Sequence, residues 1–163
     1  DSAGAIAVGA RHLLVAYNIN LRTDDLTVAR RIARAVRGRD GGLRYLKAIG
    51  IELGGRGLVQ VSMNLVRHEQ TQLHHVYEAV RREAERWGVQ IAGSEIVGLM
   101  PRAALQKSVE YFLQLENFAP ELVLEDRIAA ALAVRHEIKD AGGVTETGGV
   151  AKDELDTDGG GLS

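Results

Sequence analysis

The stretch Leu13-Leu14-Val15-Ala16-Tyr17-Asn18-Ile19-Asn20-Leu21 decides how the rest of the chain is read. Side chains alternate along a strand. Leu13, Val15, Tyr17, Ile19 and Leu21 therefore share one side, and Leu14, Ala16, Asn18 and Asn20 the other. The first set is what a helix-covered core requires. The second turns from small to polar and ends in two amides one strand repeat apart. Something other than a hydrophobic core has to meet that second side.

The same split recurs at 58–66, where Val59, Val61, Met63 and Leu65 alternate with Gln60, Ser62 and Asn64. This second strand returns from one expected at 45–53, in which Ile49, Ile51 and Leu53 alternate with Ala48, Gly50 and Glu52. Gly54-Gly55-Arg56-Gly57 joins the two as a hairpin, because glycine supplies the positive φ of tight turns. Before the hairpin, Leu26, Ala29, Ile32, Ala33 and Val36 follow helical spacing. Thr23 is placed to cap that helix, with Asp24 and Asp25 in its first turn. After the hairpin, Leu73, Val76, Tyr77, Val80, Ala84 and Trp87 form a second amphipathic stripe, with Thr71 as the expected cap and Gly88 as the stop. A fourth strand is expected at 89–99. Pro101 suits the first turn of a third helix that turns Leu105, Val109, Phe112 and Leu113 inward. Pro120 separates it from a last helical stretch at about 125–140, carrying Ile128, Leu132 and Ile138.

This order, βαββαβ followed by helices, predicts an α+β, ferredoxin-like sandwich: an antiparallel sheet with its two main helices on one face. The Val15/Tyr17/Val61/Met63 face lies under those helices. The opposite face carries Asn18, Asn20, Gln60, Ser62, Asn64 and Glu95, unless the helices after Leu99 fold across it. Residues 1–141 are read as one domain. Residues 142–163, rich in glycine and acids and without aromatics, cannot offset their ordering entropy and are expected to be a disordered tail.

Composition narrows the function classes. A net charge of −2, with no basic run interleaved with aromatics, argues against nucleic acid. The absence of cysteine removes disulfides, thiolate metal sites and cysteine nucleophiles. No apolar run approaches the ~18 residues of a membrane span, and no signal peptide is visible, so a cytoplasmic domain is expected. Asp1-Ser2-Ala3-Gly4 reads like a linker within a longer protein.

The polar face differs from an ordinary wet sheet. It is built of short amides and hydroxyls rather than Lys, Glu and Thr, and amides both donate and accept, which suits a heterocycle with mixed edges such as a pterin. Ala16, Ala48, Gly50 and Gly93 are expected to leave room for a flat molecule. Arg11 could hold a carboxylate or phosphate through its planar fork. Glu95, an acid within an apolar strand, is read either as a ligand contact or as the partner of Arg102 or Arg44. His74 and His75 point about 100° apart on a helix and have no carboxylate pair at i+4, so a buried histidine is expected rather than a metal site. No residue stands out as a nucleophile or general base.

At these residues the chain resembles a known family. Gly9-Ala10-Arg11 leading into Tyr17-Asn18-Ile19-Asn20-Leu21, then Gln60-Val61-Ser62-Met63-Asn64-Leu65, then Thr71-x-Leu73-His74-x-Val76-Tyr77-Glu78, then Gly93-Ser94-Glu95-x-Val97-Gly98-Leu99-x-Pro101 match, in order and at compatible spacings, the C-terminal subdomain of the glutamate formimidoyltransferases. The resemblance covers roughly residues 3–133. It implies an enzyme of histidine degradation that moves a formimino group from N-formimino-L-glutamate to tetrahydrofolate, with folate as co-substrate and no metal. It implies that folate lies between this subdomain and an N-terminal one, and that 9–18, including Gly9, Ala10, Arg11, Tyr17 and Asn18, is the folate-binding stretch. It also implies that the catalytic histidine belongs to the N-terminal subdomain, so none of His12, His68, His74, His75 or His136 is given that role. The expected partners are that subdomain, folate, N-formimino-L-glutamate and a second copy in a homodimer. Two other readings stay open: a ferredoxin-like interaction module without ligand, and a relative acting as a 5-formyltetrahydrofolate cyclo-ligase.

Overall fold

The computed structural model describes Gly4, Ile6, residues 8–10 and residues 13–142, with side chains through Arg135. Strand β1 (Val15–Leu21) is followed by α1 (Leu26–Val36), β2 (Leu46–Leu53), β3 (Leu58–Leu65), α2 (Leu73–Arg86), β4 (Ile91–Val97), α3 (Arg102–Leu113) and α4 (Leu124–Gly142). The sheet runs in the order β2-β3-β1-β4 with every neighbouring pair antiparallel. This is the ferredoxin-like arrangement of two interleaved βαβ halves, in which each half returns with a strand of the other between its two strands.

Alternation along β1 fixes the core. Val15, Ile19 and Leu21 are wholly buried, as are Val59 and Val61 of β3 opposite them. From the two main helices Ile32, Ala33, Val76 and Val80 close over them. Each such aliphatic side chain contributes about 1.5–3 kcal/mol on burial, so this seam dominates stability. Leu13 falls outside β1 and is exposed, because the strand begins at Val15.

Both expected helix caps move by one or two residues. Asp25 caps α1, its carboxylate accepting from the Thr27 N–H at 2.8 Å, while Thr23 accepts from the Asp25 N–H. The acids are thus a cap and its approach rather than a charged first turn. In α2 the cap residue is Gln72, with no side-chain bond. The Thr71 hydroxyl instead donates to the Arg44 carbonyl, tying the start of α2 to the entry of β2. Gly88, at φ +65°, ends α2 in the left-handed region, where L side chains are strained.

Gly50 reverses an expectation. With Ala48 it faces α1, not the polar side: a Cβ on Gly50 would lie 2.5 Å from the Arg30 nitrogen and 2.6 Å from the Ala29 carbonyl carbon. The glycine is there so that helix and strand can approach, and it leaves no room for a ligand.

Helix α3 packs against α2 through Ala104 and Ser108. Leu105, Val109, Phe112 and Leu113, expected to turn inward, are each 41% exposed or more. The small residues at i and i+4 allow the close approach. Leu105, Val109 and Leu113 are left outside it, while Phe112, half exposed, still meets Tyr77 of α2 edge to face.

The chain divides into two compact units, Asp1–Glu116 and Asn117–Ser163. The described part of the second is a 3-10 turn, Pro120–Leu122, followed by α4, on which Leu124, Ile128 and Leu132 are exposed. The stretch 143–163, expected to be a disordered tail, lies outside the described residues.

Candidate functional site: the open face of the sheet

The strand register assembles the face that no helix of the first unit covers. Reading across β2, β3, β1 and β4, one row is Lys47, Asn64, Ala16 and Val97. The next is Ile49, Ser62, Asn18 and Glu95, and the third is Ile51, Gln60, Asn20 and Gly93. Strands lie ~4.8 Å apart, so neighbours in a row are within hydrogen-bonding reach through their side chains.

Four of them bond. The Gln60 amide donates to Asn20 Oδ1 at 2.7 Å and to Glu95 Oε1 at 2.9 Å, and Asn18 Nδ2 donates to the same Glu95 oxygen at 3.1 Å. Asn18, Asn20 and Gln60 are each less than a tenth exposed, although no helix among the described residues of the first unit lies over them. Their side chains are tied to one another and to Glu95 by these hydrogen bonds. The bonds from Asn18 and then Gln60, with the charge of Arg56 adding to them, hold the Glu95 carboxyl below its ordinary range. Glu95 is therefore an anion at neutral pH. It is exposed, and its Oε2 has no hydrogen-bond partner among the described residues.

Of the sequence-predicted residues, Asn18, Asn20, Gln60, Ser62, Asn64 and Glu95 share this face, with Ser62 half-buried and Asn64 exposed beside the network. Glu95 takes amide donors as its hydrogen-bond partners. Tyr17 does not join them: it points to the helix side, 5% exposed. Gly9 and Ala10 are exposed and precede the sheet, and Arg11 lies outside the described residues.

Sequence reasoning missed three contributors. Ile49 and Ile51 supply an apolar flank to the amides. The signal was in the hairpin: with Gly54–Gly57 as its turn, Leu53 pairs with Leu58, and counting back puts Ile51 opposite Gln60. Arg56, at the hairpin tip, is the cation whose charge acts on Glu95, and only the folded turn brings it there.

What this arrangement can do is bind. An anionic acceptor, three oriented amides, a hydroxyl and an aliphatic flank on a flat face suit a planar molecule whose edge carries paired donors. Nothing in the network is poised as a nucleophile.

A family model described as the formiminotransferase domain matches residues 16–142. The chain belongs to the formiminotransferase family. It is 49% identical over 117 residues to a glutamate formimidoyltransferase of Streptococcus pyogenes serotype M1, covering 72% of this chain and 39% of that protein. It is 43% identical over 129 residues to the glutamate formimidoyltransferase of Thermoplasma acidophilum, covering 79% and 43%. Against the formimidoyltransferase-cyclodeaminase of Rattus norvegicus it is 38% identical over 136 residues, covering 80% and 25%. These relatives are named as transferases, and this chain spans about two fifths of the length of the first two.

Proposed function

We propose that this chain is the folate-binding subdomain of a glutamate formimidoyltransferase, and that the open sheet face is where the reduced pterin lies. The observation that carries the reading is Glu95, an exposed carboxylate held in place by two amides on the face opposite α1 and α2. A pterin presents N3–H and the 2-amino group on one edge, and a carboxylate accepts both at once. Asn20 and Gln60 flank that anchor with further donors and acceptors, and Ile49 and Ile51 offer an apolar surface to the ring. Glu95 is the residue this proposal rests on most heavily.

The reaction so read transfers the formimino carbon of N-formimino-L-glutamate to N5 of tetrahydrofolate. N5 adds to that carbon, the bond from the carbon to the glutamate nitrogen breaks, and a proton passes from N5 to the departing nitrogen. This chain would hold and orient the folate. The proton carrier is assigned to an N-terminal subdomain that covers the face, as the family resemblance implies. Residues 1–141 are taken as the subdomain, the setting as cytoplasmic and histidine degradation as the process served.

The test is calorimetric titration of 5-formyltetrahydrofolate into the chain, with and without the N-terminal part of the enzyme. Binding that weakens about tenfold in Glu95→Gln and in Asn18→Ala, the loss of one charge-assisted hydrogen bond, supports the assignment. Binding indifferent to both variants removes the pterin from this face. No binding in any arrangement turns the reading towards an interaction module.

A further inference from the structure

On the helix side of the same strands, a cavity of about 320 Å³ opens between β1, β4, α2 and α3. Tyr17, His74, Tyr77, Ser94, Ser108 and Phe112 line it. His74 is 4% exposed, and its Nδ1 is buried with no hydrogen-bond partner. The ring is held by the Tyr111 ring, stacked on it with centroids 4.2 Å apart and planes 11° from parallel. Tyr77 and Phe112 meet edge to face at 5.7 Å and form an aromatic wall. Ser108 donates its own hydroxyl proton to the Ala104 carbonyl at 3.1 Å, so it faces the cavity as an acceptor.

Buried polar atoms in native proteins almost always find a partner. A cavity of this size with an aromatic wall and a few polar groups is the usual form of a small-molecule site. No side chain lining it is charged, since His74 is neutral: burial, then the neighbouring His75, push its pKa down. An ionised guest would have no counter-charge there.

We propose that this cavity is a second ligand site, separate from the polar face, for a neutral aromatic molecule of one or two rings carrying one O–H or N–H donor for His74 Nδ1. The guest would lie against the Tyr77–Phe112 wall. Tyr17 and Ser94 touch it from the strands, next in sequence to Asn18 and Glu95 of the opposite face. An occupant therefore presses on the two strands that hold the polar network, without entering it.

The test uses phenol and fluorobenzene, which match in size but not in the donor, titrated into the 163-residue chain. The readout is the amide resonances of Tyr17, His74, Ser94 and Ser108. Saturable phenol shifts at these residues, with fluorobenzene about tenfold weaker for want of one hydrogen bond, are expected. Ser108→Leu, which fills the cavity from α3 and leaves His74 intact, should abolish both. His74→Phe should remove the preference for phenol. Three results would overturn the site: no saturable shift, equal affinity for the two probes, or phenol binding unchanged in Ser108→Leu. The wild-type comparison needs no variant to fold.

Discussion

Ile19 and Asn20 are neighbours on β1, both nearly inaccessible to solvent, and they are buried by different means. Ile19 lies among aliphatic side chains under two helices. Asn20 lies on the face opposite α1 and α2, where Gln60 donates to its Oδ1 at 2.7 Å. The covered face is sealed by packing, which is non-directional and cumulative. The open face is sealed by hydrogen bonds, which fix geometry while adding little net stability, because water offers the same bonds to the unfolded chain. The difference teaches which face carries the fold and which is free to be specific. A surface held by amides can be rebuilt for a ligand without dismantling the core.

The sharpest way to break this contrast is truncation on the covered side. Ile19→Ala should cost about 3–4 kcal/mol, since the seam between two helices and three strands cannot collapse around the void. Chemical denaturation would read it directly. Close behind comes Gly50→Ala. Its methyl would sit 2.5 Å from backbone in α1, so the helix must move away from β2, at about 2–3 kcal/mol. A ligand pocket at Gly50 would instead tolerate alanine and lose binding. Unchanged stability in Gly50→Ala would remove the close helix–strand contact from this account.

Titration separates the faces in a second way. His74, on the helix side, has a pKa depressed below its ordinary value of 6.5, so the native state resists protonation. Its contribution to stability is intact above pH 6.5 and is lost as pH falls from there through the depressed value. Glu95, on the open face, is depressed from 4.5. Its contribution is present above that value and disappears only in more acid solution. Unfolding midpoints should therefore fall in two steps on acidification. His74→Phe should remove the upper one. Glu95→Gln should only diminish the lower, which Asp40 and Glu78, also held below their ordinary range by hydrogen bonds from Arg37 and Arg81, share. A single step unaffected by either variant would mean that other groups control the acid response.

Much of this was legible from residues 13–21 and 58–66 alone. Alternation in β1 and β3 settled which face was core, and the amides at Asn18, Asn20 and Gln60 could only be on the other. Element order then left one compact arrangement. What could not be read was relative placement. Ala48 and Gly50 looked like room for a ligand because composition reports size and not direction, and only the hairpin register turns them under α1. Leu105 and Leu113 looked inward because spacing identifies a stripe without saying whether a partner meets it. Small residues, Ala104 and Ser108, took that contact instead. The orphaned Nδ1 of His74 depends on α3 lying over α2, a long-range fact with no local trace.

The smallest effect tests the contrast most finely. Asn20→Ala removes one acceptor from Gln60, whose amide still reaches Glu95 at 2.9 Å. The donor is not stranded, so the loss should be about 1 kcal/mol, well below that of Ile19→Ala one residue away. The consequence for binding should be disproportionate, because Gln60 would then be oriented from one side only and the carboxylate it holds would lose its fixed position. A denaturation midpoint nearly unchanged beside a folate affinity clearly weakened would separate stability from specificity along one strand. Equal losses in both would mean that the amides, like the aliphatics, are chiefly there to hold the sheet together.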